Sequence, residues 1–299
     1  MCGIVGLFLK TPALRPELGL HFSRMLACLS SRGPDSAGIA VYRDPAPRGV
    51  LKFTLQHPEP TFDWGALTGA LAAIGPAPEL SVASTHAVVR TAAGEAAVRG
   101  LLADRFPDLT IMSVGMSIEI MKEVGSPESV IARFGVPGMA GSHAIGHTRM
   151  ATESAVTTQG SHPFSTGLDL CLVHNGSLSN HSRLRAQLRR EGLEFKTDND
   201  SEVAAAYLTS RLGRGDTLTQ ALEHALVDLD GFYTFAVGTE KGFAVLRDPI
   251  ACKPAIMAET HDYVAMASEY RALAVLPGIE DARIWEPEPA IVYSWERAS

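Results

Sequence analysis

The order of strand-like and helix-like segments constrains the fold of this chain more than any other feature. Predicted strands and helices come in blocks, and they do not alternate one for one along the chain. This order favours largely antiparallel sheets covered by helices over a parallel α/β fold. Hydrophobic residues make up 46% of the 299 residues, which is enough for a sizeable core. We therefore expect a single domain over residues 1–299, with residues 57–140 as the candidate insertion.

The apolar periodicity predicts the individual elements. Strands are predicted at 3–9, 37–43, 49–56, 82–90, 143–149, 168–174, 232–238, 243–248, 254–258, 263–267 and 291–295. Helices are predicted at 17–30, 94–106, 117–124, 128–134, 180–192, 201–212 and 218–229. Residues 57–80 are rich in Pro and Gly and receive no assignment. Asn180 is predicted to cap its helix, and Asp198 or Asp200 to cap the next one.

Charge and cysteine usage exclude several classes of protein. The formal net charge is −7, from 26 Lys and Arg against 33 Asp and Glu, which argues against general nucleic-acid binding. The four cysteines, Cys2, Cys28, Cys171 and Cys252, are far apart and do not have the spacing of a metal site or an iron–sulfur cluster. Neither a signal peptide nor a membrane span is evident. The sequence thus predicts a reduced, cytoplasmic protein without a metal, with neither nucleic acid nor membrane as partner.

Cys2 directly follows the initiator methionine, at the start of the apolar segment GIVGLFL. Removal of Met1 would place a thiol and an α-amine on one residue. The α-amine has a reference pKa of about 7.7–8.0, so it could act as a general base near neutral pH. A thiol beside such a base is a strong nucleophile. The alternative is that Cys2 is a small hydrophobic residue at the start of a buried strand.

Three further stretches contain residue types that acyl transfer requires. Arg149 follows a strand, and its planar guanidinium suits a carboxylate, although most arginines are solvated surface residues. Asn175 and Gly176 could donate to an oxyanion, although an Asn-Gly pair is also an ordinary turn. An aspartate between 197 and 202 could hold a substrate ammonium, although capping of the following helix is the default interpretation.

Together these stretches resemble the class II glutamine amidotransferases of the N-terminal-nucleophile hydrolase superfamily. The matching motifs occur in family order from residue 2 to about 270. They are CGIVG at 2–6, RGPDSAG at 32–38, GHTR at 146–149, HNG at 174–176, DSE at 200–202, RDP at 247–249, KP at 253–254 and ASE at 267–269. The resemblance implies an α+β fold, a four-layer αββα sandwich of two antiparallel sheets between layers of helices.

The resemblance also implies a role for each matching residue. Cys2 is the expected nucleophile with its own amine as base, and Asn175 and the Gly176 N–H form the expected oxyanion hole. For glutamine binding, Arg149 is expected to bind the α-carboxylate and Asp200, rather than Asp198, the α-ammonium. Thr152 is expected to lie near the substrate-contacting loop of the family. Arg32 is expected to support the surroundings of the nucleophile. Met150, Glu153 and Ser154 depart from the residues that are common in the family.

The expected activity is hydrolysis of L-glutamine to glutamate and ammonia. The sequence shows no Ser-Gly-Gly-type phosphate loop or second synthase domain, so the chain resembles an isolated glutaminase subunit of the glutamate-synthase-like or N-methylglutamate synthase type. The expected partners are L-glutamine and a synthase subunit that consumes ammonia, and any cofactor is expected on that other chain. Residues 150–160 are a predicted lid. Two alternatives stay open: a degenerate domain that senses glutamine or acts as a scaffold, and an acylase with another amide substrate.

Overall fold

Antiparallel sheets form the centre of the molecule in a computed structural model that describes residues 2–150 and 156–297. In chain order the strands are β1 (Gly3–Leu9), β2 (Ser36–Tyr42), β3 (Leu51–Gln56), β4 (Glu79–Ala83), β5 (His86–Thr91), β6 (Thr110–Gly115), β7 (Ile118–Val124), β8 (His143–Arg149), β9 (Cys171–Leu178), β10 (Gly231–Gly238), β11 (Gly242–Arg247), β12 (Ile256–Glu259), β13 (Tyr263–Ala267), β14 (Arg283–Trp285) and β15 (Val292–Glu296). The helices are α1 (Leu18–Ala27), α2 (Trp64–Ala72), α3 (Glu95–Arg105), α4 (Pro127–Phe134), α5 (His181–Arg190), α6 (Asp200–Gly213), α7 (Leu218–Asp228) and α8 (Tyr270–Leu273).

The strands form three sheets, and all the strand pairs within them are antiparallel. The seven-stranded sheet has the order β14-β12-β13-β1-β8-β2-β7. The second sheet has the order β15-β11-β10-β9, and the third sheet has the order β4-β5-β3-β6. Since β1 lies inside the seven-stranded sheet between β13 and β8, the residue that precedes it is placed between two neighbouring strand ends.

Alternation along the strands explains how the layers pack. In β1, Ile4 and Phe8 belong to the core between the seven-stranded and second sheets, whereas Val5 and Leu7 face the layer of α1, α4 and α8. The second sheet presents its other face to α5, α6 and α7. A Cβ at Gly6 would lie 2.6 Å from the ring of Phe243, so glycine lets the two sheets approach closely here. The result is the predicted four-layer αββα sandwich, and that prediction is confirmed.

The third sheet has a hydrophobic core of its own. Phe53 and Leu55 of β3 pack with Trp64 and Leu67 of α2 and with Val98 of α3. The segment 57–140 therefore contributes to two parts of the molecule. Its β4, β5 and β6 form the third sheet with β3, and α2 and α3 pack on that sheet, whereas β7 joins the seven-stranded sheet and α4 packs in the layer of α1.

Two predictions of secondary structure are wrong, and the stretch 57–80, which has no predicted element, contains a helix. Residues 117–124 form β7 and not a helix, because Ile118 and Ile120 alternate with polar residues and the strand pairs with β2 along its whole length. Residues 82–90 are not one strand but the hairpin of β4 and β5, which turns at Ser84 with φ of 55°. The unassigned stretch contains α2, which begins at the cap Asp63, whose carboxylate accepts from Gly65 N.

Helix caps also differ from the predictions. Asn199, and not Asp198 or Asp200, caps α6 by accepting a hydrogen bond from Ser201 N. The side chain of Asn180 does not cap α5; it bonds instead to the backbone of Asp228 and Asp230. Within the described part of the chain, none of the helices combines the length and the apolar character that a membrane crossing needs.

Candidate active site

Three neighbouring strand ends of the seven-stranded sheet meet at Cys2. Gly3 pairs with Thr148 of β8, so Arg149 lies at the end of β8 beside the start of β1. On the other side Val5 pairs with Ala267 of β13, and the next residue, Ser268, exchanges hydrogen bonds with Ile4. The antiparallel register thus brings residues that are more than 100 positions apart to one end of the sandwich.

Two side chains donate to the carbonyl oxygen of Cys2. Arg32 Nε lies 3.0 Å from it and Asn175 Nδ2 lies 3.2 Å from it. Arg32 is buried, and its other end forms an ion pair of 2.6 Å with Glu269, just beyond β13. The Cys2 thiol is half-buried, with Sγ 3.8 Å from the carbonyl oxygen of Met150. The carbonyl group of Cys2 is therefore held by Arg32, in the turn between α1 and β2, and by Asn175 of the second sheet.

His147 sets the orientation of the Asn175 amide. His147 Nε2 lies 3.0 Å from Asn175 Oδ1. Burial lowers the pKa of His147 to about 3, so the ring is neutral at neutral pH and carries one N–H. Because an amide oxygen can only accept, that proton is on Nε2. Asn175 Nδ2 consequently points away from His147, toward Cys2, with a second contact of 3.4 Å to Ser268 Oγ.

Gly176 has a backbone conformation that only glycine adopts easily, with φ of 149°. A Cβ at this position would lie 1.9 Å from the carbonyl oxygen of Phe232 and 2.8 Å from His174 Nε2. Any side chain would therefore displace β10 or the neighbouring histidine. The Asn-Gly pair is part of β9 and not an ordinary reverse turn.

Asp200 and Asp198 have very different surroundings. Asp200 is the first residue of α6, and its Oδ2 accepts a hydrogen bond of 2.9 Å from Leu178 N at the end of β9. Asp198 is fully exposed and pairs with Arg185 at 2.9 Å on the outside of the molecule. Of the two aspartates, Asp200 is the one that the fold places next to the Asn175-Gly176 segment.

The sequence reasoning missed a buried cluster of histidines behind the site. The rings of His147 and His162 stack with centroids 4.0 Å apart. Ser201 Oγ lies 2.8 Å from His162 Nε2 and 2.9 Å from His174 Nδ1, and it donates to Asp200 at 3.3 Å. Burial lowers the pKa of His162 and of His174, so both rings are neutral at neutral pH. The histidines within the GHTR and HNG motifs were the available signal.

Arg149 and the start of α6 meet at one backbone carbonyl. Gly160 O accepts from Arg149 Nη1 at 3.3 Å and from Asn199 Nδ2 at 3.4 Å. Arg149 and Asn199, the residue that precedes Asp200, therefore bind the same carbonyl oxygen. Thr152, predicted to contact the substrate, and Met1 lie outside the described residues.

The fold and the site together define a class of protein. A family model described as a glutamine amidotransferase domain matches residues 147–275, which include Arg149, Asn175, Gly176 and Asp200. The fold is similar to a solved glutamine phosphoribosylpyrophosphate amidotransferase from B. subtilis, with a TM-score of 0.62 at 21% identity. That comparison covers 99% of this chain and 49% of the solved chain, so this chain spans about half of its length. The fold is that of the N-terminal-nucleophile amidotransferases.

Full-length relatives give the family. The chain is 61% identical over 297 residues to the glutamine amidotransferase-like protein GlxB of Rhizobium meliloti, covering 99% of this chain and 98% of that protein. It is 32% identical over 304 residues to a putative glutamine amidotransferase of Methanothermobacter thermautotrophicus, covering 98% and 99%. This chain belongs to the glutamine amidotransferase family. The predicted enzyme class is thereby confirmed.

Proposed function

We propose that this protein hydrolyses L-glutamine through a thioester on Cys2. The observation that carries the proposal is the pair of contacts at Cys2, whose carbonyl oxygen accepts from Arg32, in the turn before β2, and from Asn175 of β9. A cysteine that was only a small hydrophobic residue at the start of a buried strand would need neither contact. Removal of Met1 would complete the site by exposing the α-amine of Cys2 as the base.

The reaction then has two balanced steps. The Cys2 thiol gives its proton to the α-amine, and Sγ attacks the side-chain amide carbon of glutamine. The tetrahedral intermediate collapses, the C–N bond breaks, and the proton passes to the departing nitrogen, which leaves as ammonia. Water then attacks the glutamyl thioester, with the same amine as base, and releases glutamate and the free thiol.

Asn175 and Gly176 are the proposed oxyanion donors. Asn175 Nδ2 carries two hydrogens, and one of them faces Cys2 O at 3.2 Å. The other makes a long contact of 3.4 Å with Ser268 Oγ, which a developing oxyanion would replace with a shorter, charge-assisted bond. Arg149 and Asp200 are proposed to bind the α-carboxylate and the α-ammonium, and this choice of head group argues against the acylase alternative.

We further propose that ammonia passes to a synthase subunit of a glutamate-synthase-like or N-methylglutamate synthase complex. Ammonia released into water at neutral pH is mostly protonated and unreactive, so transfer to a bound partner would conserve the nucleophile. Residues 150–160 are the predicted lid for this transfer, and residues 151–155 of it lie outside the described residues. Glutamine turnover that is the same with and without the co-purifying synthase would contradict this coupling.

The test of glutamine hydrolysis compares cysteine variants. We expect Cys2→Ala to abolish glutamate release from glutamine, with an unchanged thermal unfolding curve. Cys28→Ala is the matched control, because Cys28 is also half-buried but lies at the end of α1, and it should retain activity. Mass spectrometry should show that Met1 is removed. Full activity in Cys2→Ala would refute the thioester, and glutamine binding without hydrolysis in the wild type would favour the sensing or scaffolding alternative.

A further inference from the structure

We propose that Lys122 is a positioning residue for substrate binding, because it holds the turn that orients Arg149. This turn comprises residues 157–163, which we call the anchor turn. The inference rests on the proposed function, since it assigns Arg149 to the glutamine carboxylate. Lys122 itself is not expected to touch the substrate.

The Lys122 ammonium is fully occupied by the anchor turn. Lys122 is buried on β7, and its Nζ donates to three backbone carbonyls: Gln159 O at 3.1 Å, Ser161 O at 2.6 Å and Pro163 O at 3.2 Å. An ammonium has three hydrogens, so each has one acceptor. The ring of Phe164 lies 4.8 Å from the same nitrogen. Burial lowers the pKa of Lys122 to about 7, and the three carbonyl oxygens stabilise its ammonium form, which makes the turn and the lysine mutually dependent.

The neighbouring residue, Glu123, binds the same turn. Its carboxylate accepts hydrogen bonds from Thr158 and, at 2.9 Å, from Thr85 in the turn of the third sheet. Successive residues of a strand point to opposite faces of the sheet. Since β7 is the edge strand of the seven-stranded sheet, the anchor turn crosses that edge and is held from both faces.

Two residues of β2 allow the anchor turn to pack closely against the seven-stranded sheet. Gly38 of β2 pairs with Lys122, and a Cβ on Gly38 would lie 2.0 Å from the carbonyl oxygen of His162. Glycine at this position lets the turn lie directly on the sheet. Ser161 Oγ also donates to Ser36 Oγ at 2.9 Å. Gly38, the second glycine of the RGPDSAG motif, thus allows the anchor turn to pack against the sheet.

Arg149 binds the backbone carbonyl that lies between two carbonyls bound by Lys122. Gln159 O and Ser161 O bind Lys122, and the intervening Gly160 O accepts from Arg149 Nη1 at 3.3 Å. The turn borders a cavity of about 350 Å³, lined by Lys122, Gln159 and Thr110 of the third sheet. Packing around the turn is therefore incomplete, and its polar contacts with β7, together with the bond from Asn199 Nδ2, hold Gly160 O in position.

The experiment compares two buried lysines in the full-length protein. In Lys122→Met we expect the KM for glutamine to rise about tenfold, as for loss of an optimal charge-assisted contact, with kcat within about threefold of wild type. Amide hydrogen exchange of residues 157–163 should also accelerate. Lys52→Met is the matched control: Lys52 is equally buried, but its Nζ binds Asp44 O at 2.9 Å and Glu119 at 3.1 Å. Its KM and the exchange of the anchor turn should stay at wild-type values.

The outcomes separate this inference from the proposed function. An unchanged KM and unchanged exchange in Lys122→Met would overturn the inference, and so would an equal rise of KM in Lys52→Met. If Lys122→Met does not fold, Thr158→Val removes the contact with Glu123 and should raise KM by about threefold, in line with loss of one hydrogen bond. If the wild type does not hydrolyse glutamine, the proposed function fails, and the exchange measurement alone decides the role of Lys122.

Discussion

The sandwich and the third sheet differ in what they bury. At one end of the sandwich, neutral histidines, a serine and an aspartate form a buried hydrogen-bonded cluster behind Cys2. The core of the third sheet is instead made of aliphatic and aromatic side chains such as Phe53 and Trp64. The described candidate site residues belong to the sandwich. The third sheet contacts the anchor turn through Thr110, which accepts from Gln159, and contacts Glu123 of β7 through Thr85. The comparison indicates that the two regions can be destabilised separately.

The largest expected effect is on stability and concerns the third sheet. Phe53→Ala removes a fully buried ring and should lower the free energy of unfolding by about 3–5 kcal/mol. Below the unfolding transition, glutamine turnover should stay within about threefold of wild type, because Phe53 does not contact the site. Urea unfolding and a glutaminase assay measure the two quantities. A loss of turnover that tracks the loss of stability would show that the regions are not separable.

The next effect is on catalysis and concerns the sandwich. Asn175→Ala should reduce kcat by about 10²–10³-fold, the usual effect of removing one oxyanion donor. Asn180→Ala is the control, since the Asn180 side chain bonds only to backbone near α7 among the described contacts. The control should keep kcat near the wild-type value. Equal activities of the two variants in steady-state kinetics would remove Asn175 from the proposed oxyanion hole.

A smaller effect should separate the two aspartates. Asp200→Asn keeps an acceptor for Leu178 N but loses the charge. It should weaken glutamine binding by about 1.5–3 kcal/mol, which corresponds to a rise in KM of roughly 10–150-fold. Asp198→Asn changes a fully exposed carboxylate and should leave KM unchanged. Kinetics at saturating and limiting glutamine measure the split between KM and kcat. The opposite order of effects would assign the ammonium to Asp198.

Expressed for one residue and one pH unit, the smallest effect is the pH dependence of stability. Burial lowers the pKa of His143, His147 and His86 to about 3, and it lowers those of His162 and His174 as well. The unfolded chain binds these protons near its ordinary pKa of about 6.5, so the folded state loses up to about 1.4 kcal/mol per pH unit for each histidine as pH falls. Above pH 6.5 this loss is absent.

Urea unfolding between pH 7 and pH 4 measures that dependence. Four of the five histidines are in the sandwich, and His86 is in β5 of the third sheet. His86→Gln should therefore reduce the slope by about one proton and leave most of the acid sensitivity in place. A flat stability profile across this range would mean that the histidines are charged in the folded protein.

Much of the fold was readable from the sequence because its signals are local. The buried segment GIVGLFL predicts β1, and the Pro after Ser126 marks the start of α4. The same local reasoning failed at residues 117–124, where helix-favouring Glu, Met and Lys residues lie in a strand. Pairing with β2 decided that strand, and propensity is only a weak prior against such tertiary contacts.

Part of the candidate site was likewise readable from the sequence, and part required the tertiary structure. The sequence by itself determined which residue types are present and in which order, so Cys2, Arg149, Asn175, Gly176 and Asp200 could be proposed from the motifs. Only the tertiary structure decided how Asn175 is turned by His147 and why Asp198 points to solvent. It alone placed Lys122 against the carbonyls of the anchor turn. The physical reason is that these contacts join residues far apart in the chain, through antiparallel registers and buried charges that no local pattern encodes.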